Sequence, residues 1–281
     1  MDHSARWTCP TCCVIVTTPF CAGCGEEPLP PRGLTLHGMA EKLLHAVTSI
    51  DARVARTANV LLRSPGRLTR AWVDGMRKPY VAPFQLFLIA NVIFFAVQSL
   101  TGETVFSSSL DSHLHHQDWS GLAREMVDAR LAATGTSAGQ LAPIFDRVVV
   151  LNAKSFIVVM AGAFALLLPL VFVRERRPFM THVAFSLHLY TFLLLLFCVA
   201  LLAGKASALL GFGGLETAGV DNVLSVVNVA ACATYLYLSI GPVYGTYGAA
   251  RIVQTAVLSV AVAAIVLGYR FLIFVITLYG A

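Results

Sequence analysis

Five long apolar runs dominate the chain, at 83–100, 153–173, 181–202, 223–243 and 252–276. Each approaches the about 20 helical residues that a bilayer core requires. Short polar stretches separate them, apart from one long mixed segment, 102–152. The pattern predicts an all-α membrane protein with a five-helix transmembrane bundle over 83–281. The first run is the shortest and carries Gln85, Asn91 and Gln98. The last is long and contains Gly268 and Arg270, so it is expected to tilt, or to end early with Arg270 at the headgroups. Segment 102–152 carries Asp111, Asp118, Glu125, Asp128 and Asp146 and predicts a mixed external piece with a helix near 122–133.

Ahead of the runs the period changes. Leu36, Met39, Leu43, Val47, Ile50, Val54 and Leu61 recur in steps of three or four, with one gap near Ala58, and predict a helix over 34–62. Pro65-Gly66 ends it. A shorter amphipathic turn follows, with Leu68, Trp72 and Met76 expected inward and Arg67 and Arg70 outward. Residues 34–82 therefore read as amphipathic interfacial helices. Arg63, Arg67, Arg70, Arg77 and Lys78 stand close together just before the first run, opposed by Asp74 alone. Such a stretch suits anionic lipid headgroups, at about 1 kcal/mol per near-surface cation. Plain positive-inside anchoring is the simpler account of the same charges. Trp72 is the one aromatic among them, so nucleic acid is not an expected partner.

Composition sharpens this picture. The chain is 57% hydrophobic and 12% charged, with mean hydropathy +0.74. Soluble domains carry roughly a quarter charged residues. The 20 Lys and Arg are unevenly placed. With the amino terminus inside, Arg124, Arg130, Arg147, Lys154, Lys205 and Arg270 fall outside and all others inside. This bias favours an amino terminus in the cytoplasm and a carboxyl terminus outside. The predicted spans contain no Asp or Glu, which argues against carboxylate-coupled transport and intramembrane acid–base chemistry.

Residues 1–33 are too few for an apolar core and need a staple. Cys9-Pro-Thr-Cys12 and Cys21-Ala-Gly-Cys24 supply one. Two CxxC turns offer the four-sulfur cage that suits structural Zn²⁺ and leaves no open coordination position. A zinc-ribbon head is expected, on the reducing side of the membrane, since no apolar run of signal type precedes it. Cys13 is a fifth thiol with no place in that cage.

Histidines mark two further places. His182 opens the third span and His188 lies deeper. Six residues along a helix set two rings roughly 120° apart and about 9 Å along the axis, so they cannot clamp one ion alone. His182 and His188 with Asn91 and Asn228 can line a polar cavity, or each can satisfy an ordinary interhelical hydrogen bond. His113-Leu-His115-His116 reads as a solvated external segment, with metal binding as the sharper alternative.

Arg63-Ser-Pro-Gly66, then Asp74-Gly-Met-Arg-Lys-Pro-Tyr80 and Pro83, resembles the signature of an uncharacterised bacterial membrane family with an amino-terminal two-knuckle zinc ribbon. His182-Val-Ala-Phe-Ser-Leu-His188, and Tyr235 to Tyr247 with its Pro-Val-Tyr-Gly, are similar to later segments of that family. Pro79 departs from its pattern. The resemblance implies architecture only and no activity; the expected location is a bacterial inner membrane. In span number and orientation the chain also resembles, more loosely, Yip1-type five-span proteins of membrane traffic.

Three functions follow in order of fit. A membrane adaptor would engage a cytoplasmic protein through its zinc head and anionic lipid through its basic helix. A transporter or channel built from an oligomer comes second, because Gly241-Pro242 and Gly268 can break helices at a site. A lipid-modifying enzyme using His182 and His188 comes third. On balance the chain reads as a non-enzyme.

Overall fold

In a computed structural model the chain divides into two compact units, Met1–Arg53 and Val54–Ala281. The described residues are 6–9, 13–18, 20–23, 53–76, 79–102, 105–211 and 218–280. Most of the predicted helix over 34–62 lies outside them, as do Cys12, Cys24, Arg77 and Lys78.

The described part of the first unit is a two-stranded antiparallel ribbon. Strand β1 (Trp7–Thr8) pairs with β2 (Ile15–Val16) in the register Trp7↔Val16 and Thr8↔Ile15. Cys9 and Cys21 are buried with Val16, and Trp7 packs against them.

The second unit is helical throughout. Helix α1 spans 53–63, α2 Arg67–Val73 and α3 Pro83–Thr101. Three helices fill the long connection: α4 (Leu110–His115), α5 (Ser120–Thr134) and α6 (Ala138–Phe156). Then follow α7 (Val158–Val171), α8 (Phe179–Leu209), α9 (Ala218–Tyr244) and α10 (Gly248–Gly280). By length and composition, α3, α8, α9 and α10 can each cross a membrane. The chain is thus an all-α protein with the helices of a multi-pass membrane protein.

The second expected span departs from expectation. Residues 153–173 are divided between α6 and α7, which meet at a 41° bend beside Ile157 and make a fifth crossing only if taken together. The inward stripe of α6 is Leu141, Phe145, Val149 and Ala153, a four-residue period continuous with polar positions at Asp146 and Arg147. Its amphipathic pattern begins well before the apolar run does, so the helix starts fifteen residues earlier than hydropathy alone places it.

Helix α8 is the hub. It packs against α2, α3, α7 and α9. Of its most apolar stretch, 61% is buried, against 28% for α9 and for α10. A helix apolar on all sides belongs in the middle of a bundle. Its buried polar residues, among them His182, Ser186, His188 and Thr191, must therefore find partners on neighbouring helices or on their own backbone. Ser186 donates to the Ala161 carbonyl of α7 at 2.6 Å, and Thr191 to Leu187 at 2.7 Å.

Helix α10 does not end early. At about 1.5 Å per residue, Arg251 and Arg270 stand roughly 28 Å apart along it, close to the ~30 Å of a bilayer core. The helix then continues to Gly280 among α4, α5 and α6. Tyr269 donates to the Ala153 carbonyl at 2.7 Å, and Asn152 to Thr277 at 2.9 Å. Arg130 lies 6.0 Å from the Tyr279 ring. These contacts form a cap at one end of the bundle.

His113 is part of that cap, which corrects the expectation of a solvated histidine segment. Helix α4 turns it inward, 2% exposed, with its ring 4.7 Å from Phe274 and 6.0 Å from Phe145. Nδ1 accepts from Trp119 Nε1 at 3.3 Å. His115, by contrast, is exposed and pairs with Asp111 at 3.0 Å. Burial, and then the nearby Arg270 guanidinium, lower the His113 pKa from 6.5 to about 4. The unfolded chain binds the additional proton between those values. The stability of the neutral, packed ring is therefore complete above about pH 6.5 and lost as pH falls toward 4. At pH 5 the cap is expected to be weaker than at pH 7 by roughly 1–2 kcal/mol. Faster amide exchange in α4 and α5 at pH 5, after correction for intrinsic rates, would register it. His113→Leu should flatten the dependence, and a variant as pH-sensitive as the parent would exclude His113 as its source.

Candidate functional site: a hairpin locked into one end of the bundle

Helices α1 and α2 form a hairpin at the end opposite the cap. Thr57 and Leu61 make the buried side of α1, and Leu68, Thr69 and Ala71 that of α2. Leu61, Leu68 and Val81 join the core of the bundle. The Val81 amide donates to Thr57 Oγ1 at 3.0 Å, which ties the lead-in to α3 back onto α1. Of the three residues expected inward on α2, Leu68 is buried, Trp72 half-buried and Met76 54% exposed. The helix stops at Val73, so Met76 leaves the face that periodicity assigns it.

The turn between the two helices touches α9. Gly66 has φ of +83°, and a Cβ there would lie 2.7 Å from the Ser239 carbonyl oxygen and 3.0 Å from its Cα. Only glycine satisfies both the left-handed backbone and this approach. One turn later, Thr69 Oγ1 and His188 Nδ1 share a hydrogen bond of 2.9 Å, wholly buried. The hairpin is thus pinned to two spans, α8 and α9.

The end of α9 is held by arginines. Arg70 Nη1 donates to the Pro242 carbonyl at 3.4 Å. Arg251 Nε donates to the Tyr237 carbonyl at 2.6 Å while its guanidinium lies 4.1 Å from the Tyr237 ring and against Gly241. Pro242 is among the last four residues of α9, where a cation satisfies an open carbonyl and opposes the negative end of the dipole; the Tyr237 carbonyl lies a turn earlier. Beside them, His182 Nδ1 and the Tyr244 hydroxyl are 2.9 Å apart, and Tyr244 stacks on Phe172 at 3.7 Å.

His182 and His188 therefore face different partners on different helices. Asn91 is half-buried on α3. Asn228 lies elsewhere, in a groove of about 660 Å³ between α8, α9 and α10 whose lining includes neither histidine. The four residues that sequence groups as a polar cavity are not assembled into one. Arg63, Arg67 and Arg70 are exposed on the outer side of the hairpin. Arg70 also pairs with Asp74 at 3.6 Å, a surface contact worth little by itself.

Among the described residues no group of three or more His, Cys, Asp or Glu is placed to hold a metal ion. Two of the four expected cysteine ligands fall outside those residues. The two within them, Cys9 and Cys21, are buried in one small cluster, an arrangement compatible with a shared ion. Cys13 is exposed, with φ of +56°, and its amide donates to the Cys9 carbonyl at 2.9 Å.

Sequence pattern identifies the hairpin's breaker and its charges, but not the Gly66–Ser239 approach or the Thr69–His188 pair. The one local signal was a threonine on the apolar side of α2, too common to single out.

No curated protein and no solved structure matches the chain. Residues 51–95 match the model of a family described as a protein of unknown function (DUF3667). That stretch holds the Gly66 turn, both helices of the hairpin and α3 as far as residue 95, so the pinned hairpin lies within the part of this chain that is similar to that family.

Proposed function

We propose that the chain is an integral membrane adaptor, with its amino terminus in the cytoplasm and its carboxyl terminus outside a bacterial inner membrane. Cys9, Cys12, Cys21 and Cys24 hold a structural zinc in the head, which engages a cytoplasmic protein. Arg63, Arg67 and Arg70, with Arg77 and Lys78, meet anionic headgroups. One observation carries this reading: the buried Thr69–His188 hydrogen bond, which couples an exposed cationic hairpin to the central span. A platform of this kind needs a fixed base, and a buried, satisfied polar pair fixes one.

The same pairing favours an adaptor over its competitors. At this end of the bundle Thr69 pairs with His188 and His182 with Tyr244, so neither histidine is left free to line a conducting path. His182 and His188 each have a neutral partner, Tyr244 or Thr69, which supports structural roles over lipid chemistry. In sealed vesicles, the purified protein is expected to leave proton and potassium permeability at the level of empty vesicles, with or without His188→Ala. A flux above that level that falls in His188→Ala would overturn the adaptor in favour of a transporter.

A further inference from the structure

One face of α9 changes its surroundings along the helix. Cys232, Tyr235 and Ser239 lie on it near the end and are buried in the bundle. Asn228 and Ser225 continue that face toward the start, in steps of four and three. There it borders the groove of about 660 Å³ between α8, α9 and α10, a volume within the range of ligand sites. Val229 and Val260 line the groove and are also exposed, so it opens sideways, toward lipid. Asn228 is half-buried and Ser225 exposed, and neither side chain has a hydrogen bond among the described residues.

Depth decides what can meet them. Arg251 holds the Tyr237 carbonyl at one edge of the bundle. Asn228 stands nine residues from Tyr237 along α9, roughly 14 Å at about 1.5 Å per residue. That is half of the roughly 28 Å between Arg251 and Arg270 along α10. The Asn228 amide is therefore near the middle of the apolar layer, where an unmet polar group is costly. A phospholipid keeps its head and ester carbonyls at the boundary of the ~30 Å core and brings only chain to this depth. A ligand that meets Asn228 must be neutral, enter the core and carry its hydrogen-bond acceptors there. Side chains three apart on a helix stand about 5–6 Å apart at Cβ, which suits two carbonyls on opposite sides of one six-membered ring. Phe106 and Phe197, also in the lining and edge-to-face at 5.7 Å, offer such a ring aromatic walls.

We propose that this groove binds one lipid quinone drawn from the membrane core. Asn228 Nδ2 donates to one ring carbonyl and Ser225 Oγ to the other, and the apolar tail leaves between Val229 and Val260. A neutral ligand needs no counter-charge in the groove. The site does not rest on the adaptor reading, which is carried by the hairpin.

Native mass spectrometry of the full chain, released from phosphatidylcholine vesicles that hold decylubiquinone and diacylglycerol in equal parts, tests it. One decylubiquinone per chain should be retained in preference to diacylglycerol. Asn228→Leu, which keeps the helix apolar, should weaken that retention about tenfold. Val260→Trp, at an exposed position of the groove, should displace the quinone as well, which keeps the test open if Asn228→Leu does not fold. Diacylglycerol or phosphatidylcholine retained in place of the quinone, quinone retention unchanged in either variant, or a second copy of the chain seated in the groove would each overturn the proposal.

Discussion

Gly66→Ala is expected to undock the hairpin and lower stability by about 2–5 kcal/mol. Two costs add. A left-handed backbone conformation costs a non-glycine residue roughly 1–2 kcal/mol. The added methyl also meets the Ser239 carbonyl at 2.7 Å, and backbone of a packed span cannot step aside as a flexible side chain would. Overpacking of that kind costs about 1–3 kcal/mol. Gly75 supplies the control. Its φ is +85°, yet among the described residues nothing lies within 4 Å of a Cβ built there. Gly75→Ala should therefore carry the backbone cost alone. The readout is thermal unfolding in detergent, together with amide exchange across Leu68–Ala71. Equal losses from the two substitutions would show that the turn does not press on α9.

Zinc removal should act on the head alone. If the four cysteines share one ion, their folding and metal binding are a single event, and structural zinc contributes about 10–16 kcal/mol in small metal-folded domains at neutral pH. Chelation, or Cys9→Ser, is then expected to abolish exchange protection in the β1–β2 ribbon and shift Trp7 fluorescence to the red. The Val54–Ala281 unit should melt as before, because the two units are separately compact. Cys13→Ser should leave the zinc content at one ion per chain, since that side chain points to solvent. A chain purified without zinc, or a ribbon equally protected after chelation, would remove the metal from the account.

Much of the architecture could be read from hydropathy, for a simple reason. Lipid permits only backbones that satisfy themselves, so long apolar runs are helices, and α3, α8, α9 and α10 cover the runs expected of them. Hydropathy fails where a helix is half in one environment and half in another. Helix α6 begins as an amphipathic cap helix and α7 continues as an apolar one, and a residue average sees only the second part. His113 was hidden for a related reason. It stands in a polar stretch, and only the fold of α4 against α10 turns it inward. The site was legible in its charges and its breaker, both local properties. The contacts that define it, Gly66 with Ser239 and Thr69 with His188, join residues more than a hundred positions apart. No local pattern encodes such a pair.

The length of α10 has a further consequence. Arg251 and Arg270 are both fastened to protein, one to α9 and the other beside the cap, so neither can slide to follow the surrounding lipid. The distance between them acts as a ruler. Lipid thicker or thinner than that ruler must deform around the protein, at a fraction of a kcal/mol for each ångström. Summed over the perimeter of the bundle, such a penalty draws the molecule toward regions of matching thickness and away from the rest.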